Sequence, residues 1–232
     1  MSYVPLPIGI DDFEKMIKKK YYYVDKTWFI KELLDKKGEV NLFTRPRRFG
    51  KTLTLSMLRC YFEAPIDQKS KKYLFEGLKI MNAGDDYTSL QGQYPVITLT
   101  LKSAKQPDWE MTYRALRESI AREFYRHDNI TASITNEKRR EKFIALRDER
   151  ADESDYCTSL AFLSECLYER YQKKVIILID EYDVPLENSF YRGFYDKMID
   201  FIRSLFESAL KTNPCLEFSV ITGCLRISKE SI

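Results

Sequence analysis

The chain has 232 residues, 44% of them hydrophobic, with 16 Tyr and 14 Phe, which is enough apolar material for one substantial core and excludes a disordered chain. Its formal net charge is +3. That balance does not by itself call for nucleic acid, although a local basic patch is compatible with it.

In chain order, the first predicted helix spans Lys26 to Lys37, with Phe29, Leu33 and Leu34 on one face and Asp25 as N-cap. Val40 to Thr44 reads as a strand. After Arg45-Pro46-Arg47-Arg48-Phe49-Gly50, Lys51 to Phe62 reads as a helix that is apolar on more than one side, as suits a helix lodged between a sheet and another layer. Val96 to Leu101 is a continuous β-rich run. Thr112 to Arg126 sets Leu116, Ile120 and Phe124 at helical spacing. Asn136 to Asp155 mixes both charge signs. A solvated helix is expected there rather than a nucleic-acid-binding arm, because acids interrupt the basic residues.

Ser159 to Tyr171 is again helical, and Val175 to Ile179 is an apolar strand that delivers Asp180 and Glu181 to its tip. Asp183 and Pro185 follow as turn formers. Asp196 to Lys211 predicts a helix with Met198, Ile202, Leu205 and Ala209 as its buried stripe and Arg203, Glu207 and Lys211 paired outside, stopped by Asn213-Pro214. Glu217 to Thr222 is a further strand. Strands alternating with helices predict an α/β fold, a mostly parallel sheet with helices on both faces. Residues from about 103 to 158 read as a mostly helical insertion.

Two short stretches carry the chemistry. Gly50-Lys51-Thr52 is the ending of a phosphate-binding (Walker A) loop between a strand and a helix. The usual opening glycine is replaced by Arg45, which precedes a proline and should therefore extend the strand. The amides of Arg47, Arg48, Phe49, Gly50, Lys51 and Thr52, followed by Leu53, can form a nest for phosphate oxygens at a helix start. Asp180-Glu181 has the form of a Walker B tip. Thr52 and Asp180 are the candidate Mg²⁺ ligands, Lys51 the β/γ-phosphate contact, and Glu181 the residue that orients or deprotonates water. Each stretch alone has a plain alternative: a basic turn with a chance Gly-Lys-Thr, or an acidic cap on a strand. Together they favour a site for ATP and Mg²⁺, with the cationic groove and the acidic tip facing each other across neighbouring strands and room for another strand beside or between them. Thr222 is a candidate γ-phosphate sensor, weighed evenly against a local hydrogen-bonding role. Arg226 is a weaker candidate, acting on its own site or on a neighbouring subunit of a homo-oligomer.

The stretches Leu6 to Phe13, Tyr22 to Thr27, Arg45 to Thr52, Asp180 to Pro185 and Thr222 to Ile232, in this order, resemble the bacterial AAA-ATPase-like family nearly end to end. The resemblance implies a three-layer P-loop NTPase, in which Arg in place of the first glycine is usual. Family members typically continue past this point, often into a PD-(D/E)xK nuclease-like domain. That domain is absent from these residues, so its activity is not carried over, and residues 1–232 read as one ATPase-like domain truncated at its C-terminus. Family position would place Ile8, Ile10 and Phe13 at an adenine pocket. Tyr182 and Asp183 match the motif without an assigned chemistry, and Tyr21 to Tyr23 read as packing rather than a stacking platform for bases.

Cys60, Cys157, Cys166, Cys215 and Cys224 form no Cys-x-x-Cys, as expected of reduced thiols in a cytoplasmic protein. His127, the single histidine, excludes a His-rich zinc site and is expected at an exposed helix end. No apolar run approaches the roughly 20 residues of a membrane helix. Two other classes stay open: a non-hydrolysing nucleotide switch or scaffold, and a nucleic-acid-associated module. A protein or nucleic-acid partner is not identified by the residues.

Overall fold

The computed structural model describes residues 4–66 and 69–226. Its elements in order are α1 (Phe13–Lys18), α2 (Trp28–Lys36), β1 (Val40–Thr44), α3 (Lys51–Phe62), α4 (Asp85–Thr88), β2 (Val96–Thr100), α5 (Trp109–Arg126), α6 (Glu137–Arg147), α7 (Glu153–Cys157), α8 (Ser159–Tyr171), β3 (Val175–Asp180), α9 (Val184–Arg192), α10 (Tyr195–Phe206) and β4 (Leu216–Gly223). The four strands form one all-parallel sheet in the order β1-β4-β3-β2. The strand feeding the candidate phosphate loop and the strand carrying Asp180 are not directly paired; the further strand for which the sequence left room stands between them. That strand is β4, and the carboxyl ends of all three strands share one edge of the sheet.

The alternation of side chains along each strand builds a layer on each face. In β3 every position is buried. Ile176 and Leu178 join Phe218 and Val220 of β4 in a core under α3, with Leu58, Phe62 and Phe75. Ile177 and Ile179 face the other way, into a core built with α5, α8 and α10. A strand buried on both faces reads as a continuous apolar run, which is why β3 was legible. Helices on both faces of a parallel sheet make the fold three-layered.

Several local expectations shift. Asp25 does not cap α2. Its carboxylate accepts from the Thr27 amide at 2.8 Å, the Thr27 hydroxyl at 2.6 Å and the Lys79 amide at 2.8 Å, so it locks a turn and the helix starts at Trp28. Helix α5 starts earlier than predicted, because Asp108 accepts from the Met111 amide at 2.9 Å and caps it. The last predicted helix becomes α10 followed by a π-type turn, Glu207–Lys211. Arg203 pairs with Asp200 at 3.4 Å, and Lys211 lies 4.0 Å from Glu207.

His127 ends α5 as expected but is buried rather than exposed. Its Nε2 lies 3.2 Å from the Val96 carbonyl oxygen and 3.4 Å from Glu123 Oε1. The physical reason is a polar knot under the start of β2. Burial pushes the Glu123 carboxyl up, but the Arg126 charge and hydrogen bonds from His127 and Arg126 outweigh it and leave it below its ordinary value. Arg126 also bonds Glu63 and the Val96 carbonyl, and His127 completes the cluster.

Packing energies follow from this layout. Phe62→Ala, at a side chain 0% exposed between α3 and β4, should lower unfolding stability by about 3–5 kcal/mol. Tyr125→Ala, at a side chain 72% exposed, should stay within about 0.5 kcal/mol of the parent. Urea unfolding curves of the two variants check both.

Candidate functional site

The phosphate loop grows out of β1. The Arg45 amide donates to the Gly223 carbonyl at 3.1 Å, so Arg45 prolongs the parallel ladder by one residue. The chain then turns through two left-handed residues, Arg48 (φ +69°) and Gly50 (φ +78°), before α3 starts. Glycine is suited to the second because it carries no Cβ penalty there. The Gly50 carbonyl accepts from the Thr54 amide at 2.9 Å and opens the helix. Lys51 Nζ curls back over the loop, donating to the Arg45 carbonyl at 2.8 Å and the Pro46 carbonyl at 3.1 Å, 3.3 Å from Cys224 Sγ. Arg45, Arg47, Arg48 and Phe49 are exposed on the rim.

Asp180 lies at the tip of β3 and is 6% exposed. Its Oδ2 accepts from the Thr52 hydroxyl at 2.6 Å, and its Oδ1 accepts from the Thr222 hydroxyl. One carboxylate thus joins the first turn of α3 to the end of β4, the strand between β1 and β3. Glu181 follows in the left-handed region, φ +55°. For a residue that is not glycine this costs on the order of 1 kcal/mol and is commonest at functional sites. Burial pushes the Glu181 carboxyl above its ordinary value, Asp180 adds to the rise, and Lys102 and Lys51 oppose it. Among the described residues no group of three or more His, Cys, Asp and Glu could hold a metal. One carboxylate beside a hydroxyl instead suits Mg²⁺, a hard cation that keeps waters and phosphate oxygens as its remaining ligands.

Two residues left without a role by the sequence turn out to brace the site. Asp183, 1% exposed, accepts from the Cys224 amide at 2.8 Å and the Leu225 amide at 2.9 Å through Oδ2, and the Tyr182 hydroxyl donates to the Leu225 carbonyl at 2.9 Å. The segment after Thr222 is therefore clamped onto the segment after Asp180. The fit requires Gly223: a Cβ there would sit 2.7 Å from Asp183 Oδ1 and 2.7 Å from two carbons of the Tyr182 ring. The only trace of this in the sequence is that both stretches recur in the motif order; nothing in their composition pairs them.

A cavity of about 190 Å³ adjoins Gly50, Leu53 and Thr54, walled by Pro7, Tyr22, Val24 and Met57. Ile8, Ile10 and Phe13 do not line it. Ile8 is exposed, while Phe13 is drawn into the core by its amide bond to Ser56 Oγ at 2.9 Å and by stacking on Phe75. Within the tyrosine cluster, Tyr23 packs on Phe13 as expected, but Tyr22 is exposed at the cavity rim. Arg226 is exposed at the end of the described chain. The rest of the last motif, Ile227–Ile232, lies outside the described residues.

A parallel sheet with helices on both faces and a Gly-Lys-Thr turn closing on a strand-tip aspartate is the arrangement of a P-loop NTPase-like protein. A family model described as "Predicted AAA-ATPase" matches residues 7–232, and the chain belongs to that family. An uncharacterized protein from the vnfD 5' region of Azotobacter chroococcum mcd 1 is 26% identical over 234 residues, an alignment that covers 100% of this chain and 39% of that relative. No solved structure matches the chain. Among the described residues, no helix is long and apolar enough to cross a membrane.

The clamp has a measurable consequence. Gly223→Ala forces the new methyl group against Tyr182 and Asp183 and should cost about 1–3 kcal/mol of stability, as overpacking does. Thermal and urea unfolding of the variant test it; an unchanged midpoint would show that the two segments are not held together as described.

Proposed function

We propose that the domain binds ATP with Mg²⁺ and hydrolyses its γ-phosphate. The observation that carries this reading is the Thr52–Asp180 hydrogen bond of 2.6 Å, which closes the phosphate loop onto the acidic strand tip. The amides from Arg47 to Thr52 and the start of α3 would receive the phosphates. Lys51 Nζ would exchange the Arg45 and Pro46 carbonyls for β- and γ-phosphate oxygens, a short swing for an ammonium already folded over the loop. Arg47 and Arg48 add positive charge at the rim. The apolar cavity beside Leu53 is the place for the base, against Tyr22 and Val24.

Thr52 and Asp180 would hold Mg²⁺, which when bound offsets negative charge on the β- and γ-phosphate oxygens. Glu181 accepts a proton from water directed at the γ-phosphorus; its raised basicity, caused by burial and by Asp180, suits that task near neutral pH. Thr222, hydrogen-bonded to Asp180 and buried between the two motif strands, is placed to register what occupies the acidic tip. Arg226 would act later, on its own γ-phosphate or on that of an adjacent copy. The free cysteines and the use of ATP suit a bacterial cytoplasm. The chain spans 39% of the length of the curated relative it matches.

Lys51→Ala should abolish ATP binding measured by calorimetry, and undiminished binding would remove the phosphate-loop assignment. Glu181→Gln should keep ATP while turnover falls by about 10²-fold or more, the usual scale of a positioned base. Retained binding with no turnover in the parent protein would instead identify a nucleotide switch. The sign of the pH effect follows from the raised carboxyl. In the parent, turnover falls as pH drops through a value above the ordinary glutamate range, and that acid limb is missing from the residual activity of Glu181→Gln.

A further inference from the structure

A further cavity lies apart from the candidate nucleotide site. It measures about 640 Å³ and lies at the far end of α3, between α1, residues 63–66 and 69–73 and the end of α5. Clefts of roughly 300–1,000 Å³ are the usual size for small-molecule sites. Its charged lining is lopsided. Lys18, Arg59, Lys69, Lys71 and Arg126 face Glu14 and Glu63.

The two carboxylates are fully engaged. Glu14 Oε1 receives Lys18 at 2.5 Å, and its Oε2 lies 3.7 Å from Lys71. Glu63 Oε1 pairs with Arg126, and its Oε2 lies 3.6 Å from Lys71. Three cations therefore use all four carboxylate oxygens, and Arg59 is left over. No carboxylate among the described residues lies within ion-pair distance of Arg59, and its Nε is buried without a hydrogen-bond partner. Arg117 and Arg139 also have buried, unpartnered Nε atoms, but their guanidinium groups lie over aromatic rings, and Arg139 pairs with Glu165 at 2.9 Å. Arg59 has neither a direct ion pair nor a ring beneath it, and its charge reaches the Glu14 carboxyl only as a lesser influence after Lys18 and Lys71. A guanidinium in that position matches an oxyanion, above all a phosphate, which accepts two parallel N–H bonds. Tyr73, 46% exposed on the same wall, has the Lys18 ammonium 5.8 Å from its ring centroid, which holds that cation at the cavity.

We propose that this cavity is a second, separate binding site for a small phosphorylated molecule, with Arg59 as its principal anchor and Lys18 and Lys71 as supporting cations. It does not depend on ATP being the ligand of the phosphate loop. Arg59 stands two turns along the helix whose first residues are Lys51 and Thr52, and it also borders the groove that reaches Thr52 and Asp180. A ligand held there would touch the same rigid helix as the nucleotide.

The test uses the full chain carrying Lys51→Ala, which removes the phosphate loop as a competing anion site. Calorimetric titrations with inorganic pyrophosphate and, separately, with ribose 5-phosphate are run in phosphate-free buffer at low ionic strength. At least one should bind, at a 1:1 ratio, and adding Arg59→Ala should weaken it tenfold or more while the thermal unfolding midpoint stays the same. Preference for pyrophosphate would mark a polyphosphate ligand, and preference for ribose 5-phosphate a sugar phosphate; both support the site. Failure of both to bind, or binding unaffected by Arg59→Ala, would overturn it. Binding confined to a thymidine oligonucleotide would also overturn it in favour of a nucleic-acid contact. Because Lys51 is already absent, none of these results bears on the ATP reading, and loss of ATP binding in the parent would not alter them.

Discussion

The carboxylate of Asp180 is the point on which the carboxyl edge of the sheet depends. A charge that is 6% exposed must be compensated, because an isolated buried carboxylate would be protonated or expelled. Here both oxygens receive hydroxyls, one from Thr52 on α3 and one from Thr222 on β4. Those bonds hold three separate chain segments in register. The loop after β1 cannot drift from the tip of β3 without leaving one oxygen unpaired, and β4 cannot slide without losing the other. The same two hydroxyls and one carboxylate gather hard oxygen atoms at the carboxyl edge of the sheet.

A second layer of contacts keeps that edge from loosening. Asp183 takes the amides of Cys224 and Leu225, and Tyr182 reaches the Leu225 carbonyl. Together they fasten the chain beyond Thr222 to the chain beyond Asp180. Left-handed backbone at Arg48, Gly50 and Glu181 is concentrated in the same place. These three turns lie at the carboxyl edge of the sheet, where ligands bind in open α/β folds, while the opposite end carries left-handed Lys37 and Gln172 before β1 and β3 and is held by the Glu123–Arg126–His127 knot.

What the sequence made legible was whatever depends on local pattern. The limits of β1, α3 and α8 follow from apolar periodicity and from the Gly50 turn, and the all-buried β3 follows from an unbroken apolar run. What it hid depends on through-space partners. Nothing in Val40 to Thr44 or Val175 to Asp180 says that a strand some forty residues further on will slot between them; that is decided by the order in which helices cover the two faces. His127 looks like a surface residue because a polar side chain at a helix end usually is one, and only the neighbouring Glu123 and Arg126, folded under β2, make its burial affordable. The roles of Tyr182 and Asp183 were invisible for the same reason: their partners are backbone groups more than forty residues away. Ile8, Ile10 and Phe13 were misplaced because position along a motif does not say which way a side chain points, and the Phe13 amide bond to Ser56 turns that ring into the core.

Helix α3 draws these strands of reasoning together. Its first turn supplies Lys51 and Thr52, its middle buries Leu55, Leu58 and Phe62 under β3 and β4, and its side carries Ser56 and Arg59 toward α1. Because the buried face is packed without slack and cores of this kind transmit displacement rather than absorb it, the helix can move only as a unit. Any ligand that pulls on Arg59 or on Lys51 therefore acts on the same lever. The sheet supplies its fulcrum, since the Thr52–Asp180 bond ties the first turn of the helix to β3.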